Sequence, residues 1–294
     1  MVEYLIKFLK LIANRFANFK FKEFSVIPGF SLTLGYSLLY LGFFVLLPLI
    51  VLIIKGSQLG LSGLFVEIFD LRTLLSFKLT LTTALAAATI NVIFGSIVAW
   101  FLVRVPFPGK KFFDVIIDLP LALPTAVSGI VLTVLYAPTG IIGKFILENF
   151  HIKIAFTPIG ITLAMIFVGI PFVVRAVCPV LMSLERELEE VASSLGANKW
   201  QILSKVIFPV VFPSMLTGFT LSFARALGEF GAVIFIAGNM PMKTEITALL
   251  IYTKLEQHQE VSATAIALGM LIISFSLLLI INLFQSWVSK RSFV

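Results

Sequence analysis

Six apolar stretches, each long enough to cross a lipid bilayer as a helix, constrain the fold of this 294-residue chain more than any other feature. About 20 mostly apolar residues in helical form span the hydrocarbon core of a membrane. A helix satisfies its own backbone hydrogen bonds in lipid, and these stretches are too long for the strands of a membrane barrel. The sequence therefore predicts an all-α integral membrane protein with six transmembrane helices, at residues 31–54, 79–103, 113–136, 159–182, 210–236 and 261–288.

The composition excludes a soluble or disulfide-stabilised domain. Hydrophobic residues make up 59% of the chain and charged residues only 13%, which is about half the charged fraction of a soluble protein. Cys178 is the single cysteine and lies in an apolar run, so we interpret it as a packing residue rather than a nucleophile. The two histidines, His151 and His258, are isolated in predicted outer loops.

The basic residues are distributed unevenly between the two sides of the predicted membrane. An even number of spans puts both termini on one side, and the excess of basic residues there places that side in the cytoplasm or its organellar equivalent. The net charge of +7 therefore reflects topology in a lipid bilayer rather than nucleic-acid binding. The first thirty residues lack a cleavage site after a short apolar core, so we expect no cleaved signal peptide. The predicted inner side carries Lys7, Lys10, Arg15, Lys20, Lys22, Arg104, Lys110, Lys111, Arg186, Lys199, Lys205, Lys290 and Arg291, and the outer side Lys55, Arg72, Lys78, Lys144, Lys153, Lys243 and Lys254.

No sequence motif for nucleotide hydrolysis, metal binding or dinucleotide binding occurs. Lys110 and Lys144 each follow a glycine, but neither ends a phosphate-binding loop of the G-x-x-x-x-G-K-[ST] type. There is no H-E-x-x-H helix, no Cys/His cluster and no Rossmann glycine pattern. We therefore expect no catalytic residue, no metal site and no bound cofactor. Uphill transport by such a chain must draw its energy from a partner protein or an ion gradient.

The most amphipathic part of the chain lies between the fourth and fifth spans, where residues 183–209 read SLERELEEVASSLGANKWQILSKVIFP. Ser183 is the predicted N-cap of a first helix, with Glu185 and Glu187 favoured near its positive end. Gly196 is predicted to end this helix. Its apolar face consists of Leu188, Val191, Ala192 and Leu195.

A second amphipathic segment follows the glycine. Asn198 is a suitable cap for it, with Gln201 three residues later in a capping-box arrangement, and Pro209 starts the next span. The apolar face of this segment consists of Trp200, Leu203 and Val206. The stretch therefore predicts two short amphipathic helices joined by a hinge on the cytoplasmic side.

Two partners are compatible with this helix pair. It either lies on lipid headgroups or inserts an apolar anchor into a groove of a partner protein. An anionic leaflet would repel the acidic first helix, so the sequence favours the protein partner. The glutamates concerned are Glu185, Glu187, Glu189 and Glu190.

One face of the fifth predicted span is polar. Its members recur at intervals of 4, 4, 3 and 4 residues, so they share a helical face. Intramembrane charges usually face the interior of the bundle or an aqueous cavity. The two charged members form either a neutral pair that orients the helix or a gate on a polar route. The face consists of Ser214, Gly218, Ser222, Arg225 and Glu229.

The third span contains two prolines, Pro120 and Pro124, and proline removes a backbone donor. A simple kink and a broken helix that lines a cavity are both open from the residues alone. Arg175 in the fourth span either faces the same cavity or reaches toward the cytoplasmic interface. The polar residues of the third span include Asp118, Thr125 and Ser128.

The cytoplasmic stretch resembles the EAA loop of ATP-binding-cassette importer permeases. Glu190-Val191-Ala192, three residues, Gly196, nine residues and then Val206-Ile207-Phe208-Pro209 keep the spacing of the family pattern E-A-A-x3-G-x9-I-x-L-P. Val191, Val206 and Phe208 depart from the pattern by conservative apolar exchanges. The loop lies between the fourth and fifth spans, as it does in that family.

Two further segments, ALPTAVSGIVLTVLYAPTGIIG at 122–143 and FARALGEFGAVIFIAGNMP at 223–241, resemble the permeases of sulfate/thiosulfate importers. They are closer to the T-type subunit than to the W-type subunit or the molybdate permease. The resemblance extends from about residue 79 to residue 287. It implies a type I importer permease that pairs with a second permease subunit, two ATPase subunits and an extracytoplasmic sulfate-binding protein. ATP and magnesium would be bound by the partner ATPase, and no cofactor by this chain.

The resemblance and the polar pattern together nominate two sets of site residues. The loop that couples to the ATPase would use Glu189, Glu190, Ala192, Gly196, Trp200 and Pro209. The translocation path or its gate would use Ser222, Arg225, Glu229, Thr125 and Ser128. We expect a cytoplasmic N-terminal segment at 1–30, a first transmembrane helix and outer loop at 31–78, a permease core at 79–288 with the coupling loop at 183–209, and a cytoplasmic tail at 289–294.

Two alternatives to a sulfate permease stay open at this point. One is a permease of the same architecture for molybdate or tungstate. The other is an ion-coupled secondary anion transporter, although such proteins usually show internal repeats and none is evident here. Heavy use of Phe, at 30 residues, together with Ile and Lys is typical of an AT-rich genome. The expected location is therefore a plastid inner envelope or a bacterial inner membrane.

Overall fold

A computed structural model describes residues 30–291, and every regular element among them is a helix. Residues 1–29 of the predicted N-terminal segment and residues 292–294 of the predicted tail lie outside the described residues. The first elements are α1 (Phe30–Leu41), a π-helical segment (Gly42–Leu46), α2 (Leu47–Ser57), α3 (Gly60–Phe69), α4 (Leu71–Arg104), α5 (Lys110–Ala122), α6 (Thr125–Tyr136) and α7 (Ile141–Phe150). The others are α8 (Pro158–Ser183), α9 (Arg186–Ser194), α10 (Lys199–Gln201), a second π-helical segment (Ile202–Ile207), α11 (Phe208–Leu227), α12 (Val233–Ile236), α13 (Thr247–Glu256) and α14 (Glu260–Arg291).

Five helical runs in the described chain are long and apolar enough to cross a membrane. A sixth crossing is formed if the bent pair of α5 and α6 is one span. The predicted all-helical membrane architecture is thereby confirmed, with five to six candidate spans. The five runs are Thr33–Ser57, Leu71–Arg104, Pro158–Ser183, Lys199–Leu227 and Glu260–Trp287.

The third span is broken into two helices, α5 and α6, which meet at an angle of 108°. Leu123 is extended, with ψ of 138°, because a following proline disfavours the helical region for the residue before it. Pro124 is also extended, with ψ of 130°, and precedes the first residue of α6. Of the two interpretations of the proline pair, the structure therefore shows the broken helix rather than the simple kink.

The fifth span ends earlier than its predicted bound at residue 236. Helix α11 stops at Leu227, and two glycines follow, Gly228 and Gly231. Glycine weakens helices because it loses the most backbone freedom on folding. The Glu229 carboxylate then accepts a hydrogen bond from the N–H of Ala232 at 2.8 Å, which fixes a turn where the prediction had a helix.

The three long helices α4, α8 and α11 pack against one another at the centre of the bundle. Small residues permit this close approach, since Gly95 of α4 and Gly218 of α11 both lie against Val173 of α8. Buried apolar side chains form two main clusters along these helices, which we call the outer and the inner cluster. Cys178 is a packing residue of the inner cluster, as predicted. The outer cluster includes Ala84, Ala88, Ile161, Met165, Phe223, Val233, Ile236 and Leu249, and the inner cluster includes Ala99, Leu102, Val173, Val177, Cys178, Leu181, Ile207 and Val211.

The chain divides into two compact units, residues 1–54 and 55–294. Within the first unit, no described side chain from residue 33 to residue 54 is buried. The second unit contains both apolar clusters and the candidate site residues.

A polar contact joins the three central helices. Asn91 of α4 donates a hydrogen bond from Nδ2 to Ser222 Oγ of α11 at 3.0 Å, and both residues are buried. Gly169 of α8 lies against this pair, since a Cβ at position 169 would overlap both Asn91 Nδ2 and Ser222 Oγ. Glycine is therefore required at position 169 by the close approach of these two side chains.

Replacing Gly169 with alanine is expected to lower the free energy of unfolding by about 1–3 kcal/mol, because the added methyl group overpacks this contact. The measurement is the thermal unfolding midpoint of the purified protein, compared with Gly35→Ala. Gly35 is a helical glycine of α1 with nothing within 4 Å of its Cβ position, so alanine there should leave the midpoint unchanged or slightly raised. Equal, small effects at both positions would contradict a close-packed contact at Gly169.

Candidate coupling loop and translocation route

The helix α9 of the cytoplasmic loop begins later than predicted. Its N-cap is Glu185. The prediction of Ser183 as the cap is wrong because α8 continues to this residue, whose hydroxyl donates to the carbonyl of Val180. Glu187 and Glu189 lie in the first turn of α9, where the positive end of the helix dipole favours acidic side chains.

Gly196 follows the end of α9, as predicted. Its φ of +84° lies in the left-handed region that favours glycine. The N–H of Gly196 donates to the Ser193 carbonyl at 2.9 Å, and the N–H of Ala197 donates to the Ala192 carbonyl at 3.0 Å, which is the Schellman arrangement. Nothing lies within 4 Å of a Cβ at position 196, so backbone conformation rather than space requires the glycine.

The segment after Gly196 forms the predicted capping box but not a separate helix. Asn198 Oδ1 accepts from the N–H of Gln201 at 2.9 Å, and Gln201 Oε1 accepts from the N–H of Asn198 at 2.8 Å. From Lys199 the helical run continues through the second π-helical segment into α11, so the fifth span also starts earlier than predicted. Pro209 lies in the first turn of α11 without starting a new run, because the wider π turn before it accommodates a residue that lacks an N–H.

Several large apolar side chains of the cytoplasmic loop are exposed, and we call the group of Leu188, Val191, Leu195 and Trp200 the docking face. Leu188 and Val191 of α9 are 49% and 58% exposed, and Leu195 and Trp200 are 84% and 77% exposed. A cluster of exposed apolar side chains among charged residues is typical of a protein interaction site. Of the other predicted coupling residues, Glu190 is exposed and Ala192 is half-buried.

One arginine attaches the loop to the end of the second span. Arg104 of α4 forms an ion pair with Glu189 of α9 at 2.7 Å, and its Nη2 donates to the Leu184 carbonyl at 3.0 Å. The guanidinium lies 5.7 Å from the ring centre of Trp100, a cation–π distance. Its side chain is only 11% exposed. Arg104 is not among the predicted site residues, because no local pattern links it to a glutamate so distant in the sequence.

The predicted pairing of Arg225 with Glu229 is present. Arg225 Nη1 lies 2.7 Å from Glu229 Oε2, and the Glu229 side chain is almost completely buried. The other carboxylate oxygen accepts the hydrogen bond from the Ala232 N–H. Glu229 lies beyond the end of α11, so the helical face predicted for this pair ends at Arg225.

The start of α6 packs against the loop that holds Glu229. Gly231 lies against the Thr125 side chain, and Gly129 lies against the backbone of the same loop, so neither glycine has room for a Cβ. Ser128 is buried in the first turn of α6. The structure therefore brings Thr125 and Ser128 to the same part of the fold as Glu229.

The other members of the predicted polar face point into the bundle. Ser214, Gly218 and Ser222 are buried, and Ser222 is bound to Asn91. Arg225 differs from them, because 31% of its side chain is exposed. Arg225 is thus the member of this face that a solute outside the packed bundle can reach.

A helical bundle with up to six spans, exposed apolar side chains on its cytoplasmic loop and charges within its spans is typical of a membrane permease. Residues 91–294 match the family described as binding-protein-dependent transport system inner membrane component. The chain belongs to this family. It is therefore a multi-pass inner-membrane permease, a non-catalytic subunit of an ATP-binding-cassette transporter that works with an ATPase and a binding protein.

Relatives of known family cover most of the chain. The sulfate transport system permease protein CysT of Escherichia coli (strain K12) is 45% identical over 266 residues, which cover 90% of this chain and 96% of the relative. The probable sulfate transport system permease protein cysT of Marchantia polymorpha is 46% identical over 271 residues, which cover 92% of this chain and 93% of the relative. The resemblance to importer permeases inferred from the EAA spacing is confirmed.

Solved structures show the same fold. A chain in the crystal structure of a bacterial alginate ABC transporter, in complex with an alginate pentasaccharide-bound periplasmic protein, matches with a TM-score of 0.70 at 19% identity. The match covers 89% of this chain and 94% of that chain. The inward-facing MetNI methionine ABC transporter matches with a TM-score of 0.52 at 12% identity, over 75% of this chain and 94% of that chain. At these identities the likeness establishes the permease fold and nothing about substrate.

Proposed function

We propose that this chain is the permease subunit of an ATP-driven sulfate/thiosulfate importer. The observation that carries the proposal is its 45% identity with a bacterial sulfate permease over 90% of the chain. In this proposal the chain pairs with a second, different permease subunit, with two ATPase subunits and with a sulfate-binding protein on the outer side. ATP and magnesium are bound by the ATPase, and this chain binds no cofactor.

The docking face is the proposed contact with the ATPase. Its apolar side chains fit a groove on the partner, as in other helix-in-groove contacts. Movement of the ATPase would displace α9, and the ion pair between Glu189 and Arg104 would carry that displacement to α4. Since α4 packs on both α8 and α11, this connection reaches the helices at the centre of the bundle.

The proposed route for the anion passes Arg225, with Glu229, Thr125 and Ser128 close to the same loop. Glu229 neutralises Arg225 in the absence of substrate, so the pair acts as a gate rather than as a tight sulfate site. Ser222 contributes by fixing α11 to α4 through its contact with Asn91. In this proposal the permease core extends to residue 288 and starts with α4 at Leu71 rather than at the predicted residue 79, because α4 is one continuous helix.

The relatives support an inner membrane of one of two kinds. They include sulfate permeases of bacteria and of the plant Marchantia polymorpha. We propose an inner membrane of either kind, a bacterial cell membrane or a plastid inner envelope. Membrane fractionation of the source cells distinguishes the two.

Transport by the assembled complex in proteoliposomes tests the proposed substrate assignment. The four proteins are reconstituted, and ATP-dependent uptake of radiolabelled sulfate is measured with unlabelled thiosulfate, molybdate or tungstate as competitors. We expect sulfate uptake that thiosulfate inhibits strongly and molybdate weakly. Uptake of molybdate in preference to sulfate would contradict the substrate assignment and leave the permease architecture intact.

Replacing Arg104 with alanine is expected to lower sulfate uptake roughly tenfold or more while the ATPase remains bound. A tenfold change corresponds to a loss of only about 1.4 kcal/mol of interaction free energy. The reason is that the variant keeps the docking face but loses the connection between α9 and α4. Uptake and co-purification of the ATPase are measured together, and Arg104→Lys should recover part of the uptake.

The matched control for Arg104 is Lys144→Ala. Lys144 forms an exposed ion pair with Glu148 at 3.8 Å on α7, away from the cytoplasmic loop. Exposed pairs of this kind contribute little to stability, so uptake should stay close to the wild-type value. Normal uptake in Arg104→Ala would show that the ion pair with Glu189 is not needed for coupling.

A further inference from the structure

The fourth span carries a charged cluster that the proposed route does not use. Arg175 of α8 donates from Nε and Nη2 to the two oxygens of Asp118, at 2.9 and 2.5 Å. Its Nη1 donates to the Asp114 carboxylate at 2.8 Å, and Nη2 also donates to the Asp114 carbonyl at 3.1 Å. Every nitrogen of the guanidinium is therefore engaged by α5.

The position of this cluster within the span argues against a lipid-facing role. Arg175 lies eight residues before the end of α8 at Ser183, which is about 12 Å along a helix and thus inside the span. The side chains of Arg175, Asp114 and Asp118 are nevertheless 39%, 47% and 42% exposed. Charged groups at membrane depth face other protein or an aqueous cavity. The exposed side of the cluster consequently faces either an aqueous cavity or another subunit in the assembled transporter.

The two carboxylates are placed to move as one body. Asp114 and Asp118 are one turn apart on α5, the first half of the broken third span. At its other end α5 meets α6 at the bend beside Pro124. Ile117 of α5 and Phe107, which precedes α5, pack against the inner cluster, and Pro120 of α5 is buried. A rotation of α5 about this bend would withdraw both carboxylates from Arg175 together.

An arginine left alone at this depth needs another anionic partner. The planar guanidinium binds sulfate and related oxyanions through two parallel hydrogen bonds, as it binds a carboxylate. With one cation and two carboxylates the closed cluster has a formal net charge of −1, so it repels an anion until α5 moves away. An oxyanion on the route and the carboxylates of α5 thus compete for the same donors.

We propose that Arg175 is an oxyanion site on the cytoplasmic half of the route, closed by Asp114 and Asp118 of α5 and opened when α5 rotates. The site takes a tetrahedral dianion such as sulfate. The inference rests on the proposed transport function. Return of the two carboxylates then displaces the anion toward the cytoplasm.

The test measures retention of radiolabelled sulfate by the assembled transporter in lipid nanodiscs, without the binding protein. Asp114→Asn/Asp118→Asn removes both competing charges and keeps the side-chain shapes. We expect sulfate retention to rise roughly tenfold, because a charge-assisted hydrogen bond from Arg175 to a carboxylate is then made to sulfate instead. Adding Arg175→Gln to the double variant should abolish the gain. Glu148→Gln, which neutralises an exposed carboxylate on α7, should leave retention unchanged. No gain in the double variant would overturn the proposal.

A charge exchange covers the case in which the double variant fails to assemble. Arg175→Asp/Asp118→Arg keeps an ion pair between α8 and α5 but moves the cation onto the half-helix that rotates. We expect this variant to assemble and to lack sulfate uptake. Full uptake would show that the cluster only fastens α5 to α8, which overturns the proposal.

Wild-type uptake separates this inference from the proposed function. If wild type takes up sulfate but the carboxylate variants show no gain in retention, only the Arg175 site fails. If wild type takes up no oxyanion at all, the proposed function fails as well.

Discussion

Replacing Gly196 with valine is expected to lower sulfate uptake roughly tenfold or more and to release the ATPase from the permease. Gly196 has φ of +84°, and the left-handed conformation costs a residue with a side chain about 1–2 kcal/mol, with a β-branched residue affected most. The strain is relieved by a change of backbone direction between α9 and α10. Leu188 and Val191 would then no longer share one docking face with Trp200. The measurements are uptake and co-purification of the ATPase at matched membrane levels.

Gly60→Val is the matched control for this substitution. Gly60 has φ of +68°, and nothing lies within 4 Å of its Cβ position, so the local strain is comparable. It is the first residue of α3 and lies in the predicted outer loop, on the opposite side of the membrane from the docking face. Uptake should therefore fall much less in Gly60→Val. Equal losses in the two variants would mean that backbone strain alone, and not the coupling loop, explains the effect.

Replacing Arg225 with alanine is expected to destabilise the protein by about 3–5 kcal/mol, because it leaves a buried carboxylate without its ion-pair partner. Glu229 is almost completely buried, and its second oxygen is already bound by the N–H of Ala232. The thermal unfolding midpoint of the purified permease complex reports the loss. A midpoint close to that of wild type would show that the pair contributes little to the fold.

The double variant Arg225→Ala/Glu229→Gln separates the structural role of the pair from its role on the route. Glutamine keeps the acceptor for the Ala232 N–H and removes the unpaired charge, so most of the stability should return. Uptake should stay low, since the proposed gate needs the arginine. Recovery of both stability and uptake would show that the pair only orients the helix.

Local patterns in the sequence predict the elements that are defined by neighbouring residues. Apolar runs of about 20 residues predict the spans, because crossing a bilayer imposes a minimum length. The left-handed Gly196 and the capping box of Asn198 with Gln201 are predicted because their hydrogen bonds join residues only a few positions apart. The pairing of Arg225 with Glu229 is predicted for the same reason.

Features that depend on long-range contacts are not predicted. The ion pair of Arg104 with Glu189 and the cluster of Arg175 with Asp114 and Asp118 join residues on separate helices. The end of α11 at Leu227 is missed because residues 228–236 are as apolar as a span, although Glu229 forms a turn there. Hydrophobicity alone does not distinguish a continuing helix from a buried loop.

These long-range contacts also change the interpretation of the polar face on the fifth span. Helical spacing alone places Ser222 beside Arg225 on a common route. The structure shows that the Ser222 hydroxyl is bound by Asn91 in the packed centre of three helices. The charged pair and the start of α6 are therefore the stronger targets for mutagenesis of the route.

The measurement that tests the central proposal most directly is sulfate uptake in a sulfate-uptake-deficient host that expresses the partner subunits. Wild-type permease is assayed with the ATPase present and with the ATPase omitted, after its amount in the membrane has been matched. We expect uptake only when the ATPase is present. Uptake that continues without any ATPase would contradict an ATPase-driven permease and favour a secondary transporter.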